Sequence, residues 1–254
     1  MIRVALSWEA HGEPSSPGIV LVHSLGANRS IWRSLAASLA SSHRVITLDL
    51  RGHGASPVPA GPYSLDELAG DVLGVADAAG LSRFRFCGIS LGGLVGLHLA
   101  ARHPERVEAL VAANTAAKIG TDAHWSERCR AVRAQGMAGI ADAVIARWFA
   151  PGFAEREPAT FADLRRIFAA TSADGYVACC EAIGAADLTH ELRRVAAPTL
   201  VVAGELDTST PVAGARVLNE GIPGSRLVVF PGVAHLSNVE APRPFVDAVC
   251  RFLV

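Results

Sequence analysis

Phe84-Arg85-Phe86-Cys87-Gly88-Ile89-Ser90-Leu91-Gly92-Gly93 joins a short apolar run to a longer one that continues to His103. The first half reads as a strand and the second as the start of a helix, with Gly88-Ile89-Ser90-Leu91-Gly92 filling the turn between them. A serine hydroxyl is a weak nucleophile unless it is exposed at a sharp turn beside a base. A Gly-x-Ser-x-Gly pattern between a strand and a helix forms such a turn, a nucleophile elbow. The flanking glycines have a steric meaning, because side chains at 88 and 92 would collide where the strand folds back into the helix. The bare pattern is common, and its setting gives it weight here.

On either side of the elbow, short apolar strands alternate with amphipathic helices. Residues 19–23 and 44–48 read as strands, 31–40 as a helix, and 107–112 as the strand that follows the elbow helix. Ser64-Leu65-Asp66-Glu67 is a capping box and opens a helix running to about Ala79. From about 120 to 190 the strand signal disappears, and helical stretches at 125–135, 140–149, 159–171 and 176–183 are separated by Gly and Pro. The alternation then resumes with strands at 199–203 and 226–230 and helices near 212–219 and from Arg243. This order predicts an α/β fold with a mostly parallel central sheet flanked by helices. The expected organisation is a single domain whose core spans 1–119 and 191–254, with an inserted helical cap at about 120–190.

Composition narrows the function classes. Half of the 254 residues are hydrophobic and 19% are charged, which suits a large buried core. A formal net charge of −1 offers no electrostatic case for nucleic acid or an acidic membrane surface. The five cysteines (87, 129, 179, 180 and 250) are odd in number and form no Cys-x-x-Cys, which reads as reduced thiols in a cytoplasmic protein. Residues 1–8 alternate like a strand and show no long apolar signal core. No apolar run approaches the ~18 residues of a membrane span.

An activated serine needs a general base, and the base needs an orienting carboxylate. In the fold that uses this elbow, the chain order is Ser, then Asp or Glu, then His. Of nine histidines, His235 fits the base: it follows the strand at 226–230 in the loop Pro231-Gly232-Val233-Ala234-His235. His98 and His103 belong to the elbow helix, His43 precedes a strand on the opposite edge, and His11, His124 and His190 read as surface residues. The carboxylate should follow the strand at 199–203, where Gly204-Glu205-Leu206-Asp207 offers two. Asp207 stands where the loop turns into the next helix, and Glu205 is the alternative. Two backbone amides should hold the oxyanion. One is Leu91, at the positive end of the elbow helix, and the other is Leu25 in His23-Ser24-Leu25-Gly26. Arg51-Gly52-His53-Gly54 has glycines that suit an anion, but it lacks the Gly-Lys-Ser/Thr of a phosphate loop and reads as a structural turn beside the site. No His/Cys/Asp/Glu group has metal-ligand spacing, so neither metal nor cofactor is expected.

These residues resemble the α/β-hydrolase superfamily and, more narrowly, the 3-oxoadipate enol-lactonases. The resemblance runs over nearly the whole chain. The elbow and Arg51-Gly52-His53-Gly54 are generic to the superfamily. The resemblance also takes in Ser24-Leu25-Gly26 and Ala113-Asn114-Thr115-Ala116-Ala117-Lys118-Ile119-Gly120. More specific are the cap segments Trp125-Ser126-Glu127-Arg128 with Val132-Arg133, and Arg147-Trp148-Phe149. Gly175-Tyr176 with Cys179-Cys180 and Ala234-His235-Leu236-Ser237-Asn238-Val239-Glu240 are equally specific. Family members often show Asn where this chain has His23, and Tyr-Asp-Thr-Arg where it has Leu48-Asp49-Leu50-Arg51. Both departures bear on pocket shape. The resemblance implies a small lactone substrate carrying a carboxylate, opened by Ser90, Asp207 and His235 to give 3-oxoadipate in the β-ketoadipate pathway. It further implies a cation from the cap, with Arg133 and Arg128 as candidates, and apolar walls from Trp125 and Trp148. For each arginine a solvated helix charge is the competing reading. A general carboxylesterase or a haloperoxidase-like hydrolase would share the core and differ in the cap. A haloalkane dehalogenase would need Asp in place of Ser90. A non-catalytic receptor on this fold would bind its ligand without turnover.

Overall fold

The computed structural model describes residues 4–253. Its strands are β1 (Trp8–His11), β2 (Gly18–Val22), β3 (Arg44–Leu48), β4 (Phe84–Ile89), β5 (Val107–Ala113), β6 (Thr199–Gly204) and β7 (Arg226–Phe230). They form one sheet in the order β1-β3-β2-β4-β5-β6-β7. β1 runs antiparallel to β3, with Trp8 opposite Leu48, and every other pairing is parallel. β2 and β6 are buried along their whole length, and β4 nearly so. Both faces of these central strands are covered, so they read as unbroken apolar runs with no polar alternation.

The core helices are α1 (Arg33–Leu39, entered through a 3-10 turn at Arg29–Trp32), α2 (Leu65–Ala78) and α3 (Leu91–Arg102). Between β5 and β6 lie α4 (Asp122–Ile145), α5 (Phe153–Arg156), α6 (Pro158–Ala170), α7 (Ala173–Ala185) and a 3-10 segment at Thr189–Arg194. The chain closes with α8 (Val212–Gly221), α9 (Ser237–Glu240) and α10 (Pro242–Leu253). The capping box of α2 forms as the sequence predicts: Ser64 Oγ accepts from the Glu67 amide at 3.2 Å, and Glu67 Oε2 accepts from the Ser64 amide at 3.0 Å. α4 packs against both α6 and α7. A break at Gly136 (φ 69°, ψ 173°) divides it where the sequence suggested two helices.

The connectivity positions the site. From β2 the chain moves outward to β3, then returns to the other side of β2 as β4. The order therefore reverses between β2 and β4, where two loops leave the carboxyl ends of adjacent parallel strands in opposite directions and open a crevice. The loop after β2 and the elbow after β4 meet there.

Three expectations are corrected. The strand reading of residues 1–8 falls partly outside the described residues, and 4–7 are not in the sheet. Their backbone is engaged elsewhere: the Val4 amide donates to Asp71, the Ser7 amide to Ser56 Oγ, and the Ser7 carbonyl accepts from the Asp49 amide. The helix predicted for 140–149 stops at Ile145, leaving Trp148 and Phe149 in the loop before α5. The helix predicted for 31–40 begins in the 3-10 turn, where Asn28 Oδ1 accepts from the Ser30 amide.

Candidate active site

Ser90 is the residue between β4 and α3, held at φ 57°, ψ −117°. A non-glycine residue in this region costs on the order of 1–3 kcal/mol and persists only where its surroundings enforce it. Here packing enforces it: a Cβ at Gly88 would strike the Gly92 carbonyl, and a Cβ at Gly92 would strike the Val22 carbonyl of the adjacent strand. The predicted collision at these two glycines is therefore met in three dimensions. Thr115 Oγ1 donates to the Ser90 carbonyl at 2.9 Å and braces the turn from the end of β5.

Asp207 and His235, 28 residues apart, come together beyond β6 and β7. His235 Nδ1 lies 2.8 Å from Asp207 Oδ2, and both side chains are buried. Asp207 is densely solvated by protein. Its Oδ1 accepts from the Ser209 and Thr210 amides at 2.8 and 3.0 Å, and its Oδ2 accepts from Thr210 Oγ1 at 2.6 Å and Asn114 Nδ2 at 3.0 Å. Burial alone would push this carboxyl up. The neighbouring His235 and the hydrogen bonds from His235, Thr210 and Asn114 outweigh it and hold the carboxyl down at about 2. The carboxylate fixes a proton on Nδ1 and leaves Nε2 as the lone-pair nitrogen. Glu205, the alternative, is exposed and accepts from the Gly232 amide at 2.8 Å, bracing the loop before His235 without touching its ring.

Ser90 and His235 line one cavity of about 350 Å³, together with Ser24 and Leu25 from the loop after β2 and several residues of α4–α7. Leu91 is the first residue of α3, so its amide belongs to the helix's unsatisfied amino-terminal set. Trp125 and Trp148 form apolar walls. The Trp125 indole donates to the Ile119 carbonyl at 2.6 Å, and Trp148 meets Phe168 edge-on, with ring centroids 5.8 Å apart.

Two arginines reach the cavity, and they are not the expected pair. Arg128 lines it and donates from Nη1 to the Tyr176 hydroxyl at 3.1 Å. Arg133 does not line it. Five residues on from Arg128, it is rotated about 140° around the helix, is 62% exposed, and pairs with Glu181 at 3.0 Å. The second cavity cation is Arg147, just past the end of α4, where the chain turns inward and carries Trp148 with it. His124, read as a surface residue, is half-buried on the same wall. Burial lowers its proton affinity, and Arg128 and Arg147 lower it further. Among the described residues, no carboxylate lines the cavity.

Asn114 and Glu240 lie in segments that carry the resemblance, but the sequence reading assigns neither a role at the site. Asn114 adopts φ 42° at the end of β5 and bridges three elements. It donates to Asp207 and to the Ala234 carbonyl, and accepts from Ser237 Oγ. Glu240 accepts from the Ala234 amide at 2.7 Å and the Ala150 amide at 2.8 Å, and the Leu236 amide donates to the Trp148 carbonyl at 2.9 Å. The segment His235-Leu236-Ser237-Asn238-Val239-Glu240 thus ties the histidine loop to the loop bearing Trp148. Arg51 is buried against Asp71 and Glu67, which commits its charge to the protein interior, as a structural turn requires.

Comparison with known proteins fits this geometry. Residues 17–242 match the alpha/beta hydrolase fold family, and the chain belongs to it. It is 43% identical over 246 residues to 3-oxoadipate enol-lactonase 2 of Acinetobacter baylyi, covering 97% of this chain and 92% of that protein. With 3-oxoadipate enol-lactonase 1 of the same organism the identity is 35%, covering 98% and 92%. The crystal structure of the enol-lactonase from Burkholderia xenovorans LB400 superposes with a TM-score of 0.96 at 42% identity, covering 98% of this chain and 96% of that one.

Proposed function

We propose that this α/β hydrolase opens the lactone ester of 3-oxoadipate enol-lactone to give 3-oxoadipate, as a step of aromatic catabolism through the β-ketoadipate pathway. Ser90 Oγ attacks the lactone carbonyl while His235 Nε2 takes its proton, and Asp207 stabilises the imidazolium that forms. The Leu25 and Leu91 amides hold the oxyanion. Collapse of the tetrahedral adduct breaks the ring C–O bond as the His235 imidazolium protonates the departing oxygen. The enol, a better leaving group than an alcohol, stays tethered in the acyl chain on Ser90 and tautomerises to the ketone. Water activated by His235 then releases the acid from Ser90. Helices α4–α7 serve as a cap that closes the cavity, and its arginines receive the substrate's free carboxylate.

The observation that carries this reading is the cavity's charge. A nucleophile elbow and a carboxylate-oriented histidine serve any acyl substrate. Two guanidinium groups, with no carboxylate lining the cavity among the described residues, suit an anionic one. The test compares the purified protein on the enol-lactone and on p-nitrophenyl acetate. A kcat/KM for the enol-lactone at least about a hundredfold above that for the neutral ester is expected, since one or two charge-assisted contacts contribute about 1.5–3 kcal/mol each. Equal turnover of both would make it a general esterase.

A further inference from the structure

Two buried histidines outside the Ser90–His235–Asp207 set lie directly behind the loop that follows β2. Each ring has one nitrogen on that loop and the other on the turn that follows β3. His23 Nδ1 is 2.8 Å from the Ser24 carbonyl, and its Nε2 is 2.9 Å from the Leu50 amide. His53 Nε2 is 2.9 Å from the Gly26 amide, and its Nδ1 is 3.1 Å from the Arg51 carbonyl. The ring centroids are 5.2 Å apart. A carbonyl on one nitrogen and an amide on the other leave each ring a single tautomer, with the proton on Nδ1 and a lone pair on Nε2.

The peptide unit between Ser24 and Leu25 is planar and trans, so its carbonyl and its N–H point in opposite directions. Anchoring the Ser24 carbonyl inward on His23, where the Ala27 amide also donates to it at 3.1 Å, turns the Leu25 N–H outward. The next peptide unit is anchored by the Gly26 amide on His53. Gly26 sits at φ +77°, and a Cβ there would strike Phe168 and Tyr176, so the loop is also pressed from the cap side. We propose that His23 and His53 are positioning residues that fix the two peptide units flanking Leu25, and so aim its amide at the oxyanion. This rests on the reading of Ser90 as the nucleophile and Leu25 as an oxyanion donor. Burial supports the neutral state that the contacts need: it pushes His53 down to about 3, with His23 adding to the effect, and it lowers His23 as well.

Conservative substitutions separate the loop contact of each ring from its contact with the turn. An asparagine reaches where Nδ1 stands and a glutamine where Nε2 stands. His23→Asn therefore keeps the bond to Ser24 and loses Leu50, and His23→Gln does the reverse. His53→Gln keeps the acceptor for Gly26 and loses Arg51, and His53→Asn does the reverse. The four variants are assayed on p-nitrophenyl acetate and on the enol-lactone, with thermal melting of each. Each is also titrated with a boronic acid, whose tetrahedral adduct on Ser90 occupies the oxyanion site. The expected pattern is crossed. His23→Gln and His53→Asn lose about a hundredfold in kcat with KM within about twofold, the scale of a misaimed catalytic group, and boronate affinity falls in parallel. His23→Asn and His53→Gln stay within about threefold of wild type. Should one of the losing variants unfold, the other pair still decides.

Equal losses in all four, no loss in any, or the opposite pairing would overturn the proposal and leave the histidines as ordinary braces of the turn. The underlying reading is tested separately, by labelling wild type with a fluorophosphonate. Absence of Ser90 labelling and of ester hydrolysis would sink the serine mechanism itself. Labelling and turnover without the crossed pattern would sink only the role of the histidines.

Discussion

The carboxyl edge of the sheet and the helices that cover it solve different problems. At the sheet edge, each proposed reacting group is buried and overdetermined. Ser90 is locked by two glycine contacts, and Asp207 accepts hydrogen bonds from Ser209, Thr210, Asn114 and His235. In the helices the polar groups are half-buried and sparsely held. Arg128 has one hydrogen bond to Tyr176, and His124 leans edge-on against Trp125. The contrast separates rate from choice. Chemistry needs donors and acceptors fixed before the reaction, whereas selection needs only complementary charge and shape over the substrate's far end.

The sharpest way to break that division is to remove the proposed nucleophile. Ser90→Ala should lower kcat by about a million-fold on both the enol-lactone and p-nitrophenyl acetate, with the melting temperature essentially unchanged. Substantial residual turnover would mean that the reaction does not run through the elbow. Next is Asp207→Asn, expected to cost about 10⁴ in kcat on both substrates, because an amide no longer selects the Nδ1–H tautomer of His235. Glu205→Gln should stay within a few-fold of wild type, and the opposite result would transfer the orienting role to Glu205.

The covering helices should answer differently. Arg128→Ala and Arg147→Ala should each weaken kcat/KM on the anionic enol-lactone by about ten- to a hundredfold and leave p-nitrophenyl acetate within about twofold. Equal losses on the two substrates would erase the distinction between the regions. Arg133→Ala should change neither activity, and an exposed pair such as Arg133–Glu181 contributes at most about 1 kcal/mol to stability.

The smallest effect is thermodynamic and confined to the sheet edge. The Asp207 carboxyl is depressed from 3.8 to about 2 in the folded protein. Its contribution is therefore complete above the unfolded value and lost as pH falls from about 4 through about 2. The shift is on the order of 2 kcal/mol. Denaturant melts of wild type and Asp207→Asn should show wild type losing that much more stability across this window. Parallel curves would mean that the carboxylate is no better solvated folded than unfolded.

Most of the strands and the elbow were legible because their signals are local. An apolar run of five or six residues between turn residues is a covered strand whatever lies beyond it, as β2 and β3 illustrate. The Ser64–Glu67 capping box spans a single helical turn. The antiparallel β1 was misread by several residues because its boundary is set by where Asp49, Ser56 and Asp71 engage residues 4–7, all more than 40 positions away. The choice of Arg133 failed for a related reason: the helix's rotational phase against α6 and α7 decides which arginine faces inward, and net charge in a segment carries no such phase.

The sequence by itself determined the alternation of strands and helices, the elbow at Ser90, and the placement of Asp207 and His235 after β6 and β7, because each depends on spacing within a turn or on the order of elements along the chain. Only the tertiary structure decided that Arg147 stands beside Arg128 in the cavity. It alone brought Asn114 to Asp207 across 93 residues and linked His23 and His53 through the loop bearing Leu25. These contacts join groups from different elements, and their distances follow from how the sheet twists and the helices pack, which no local window of residues encodes.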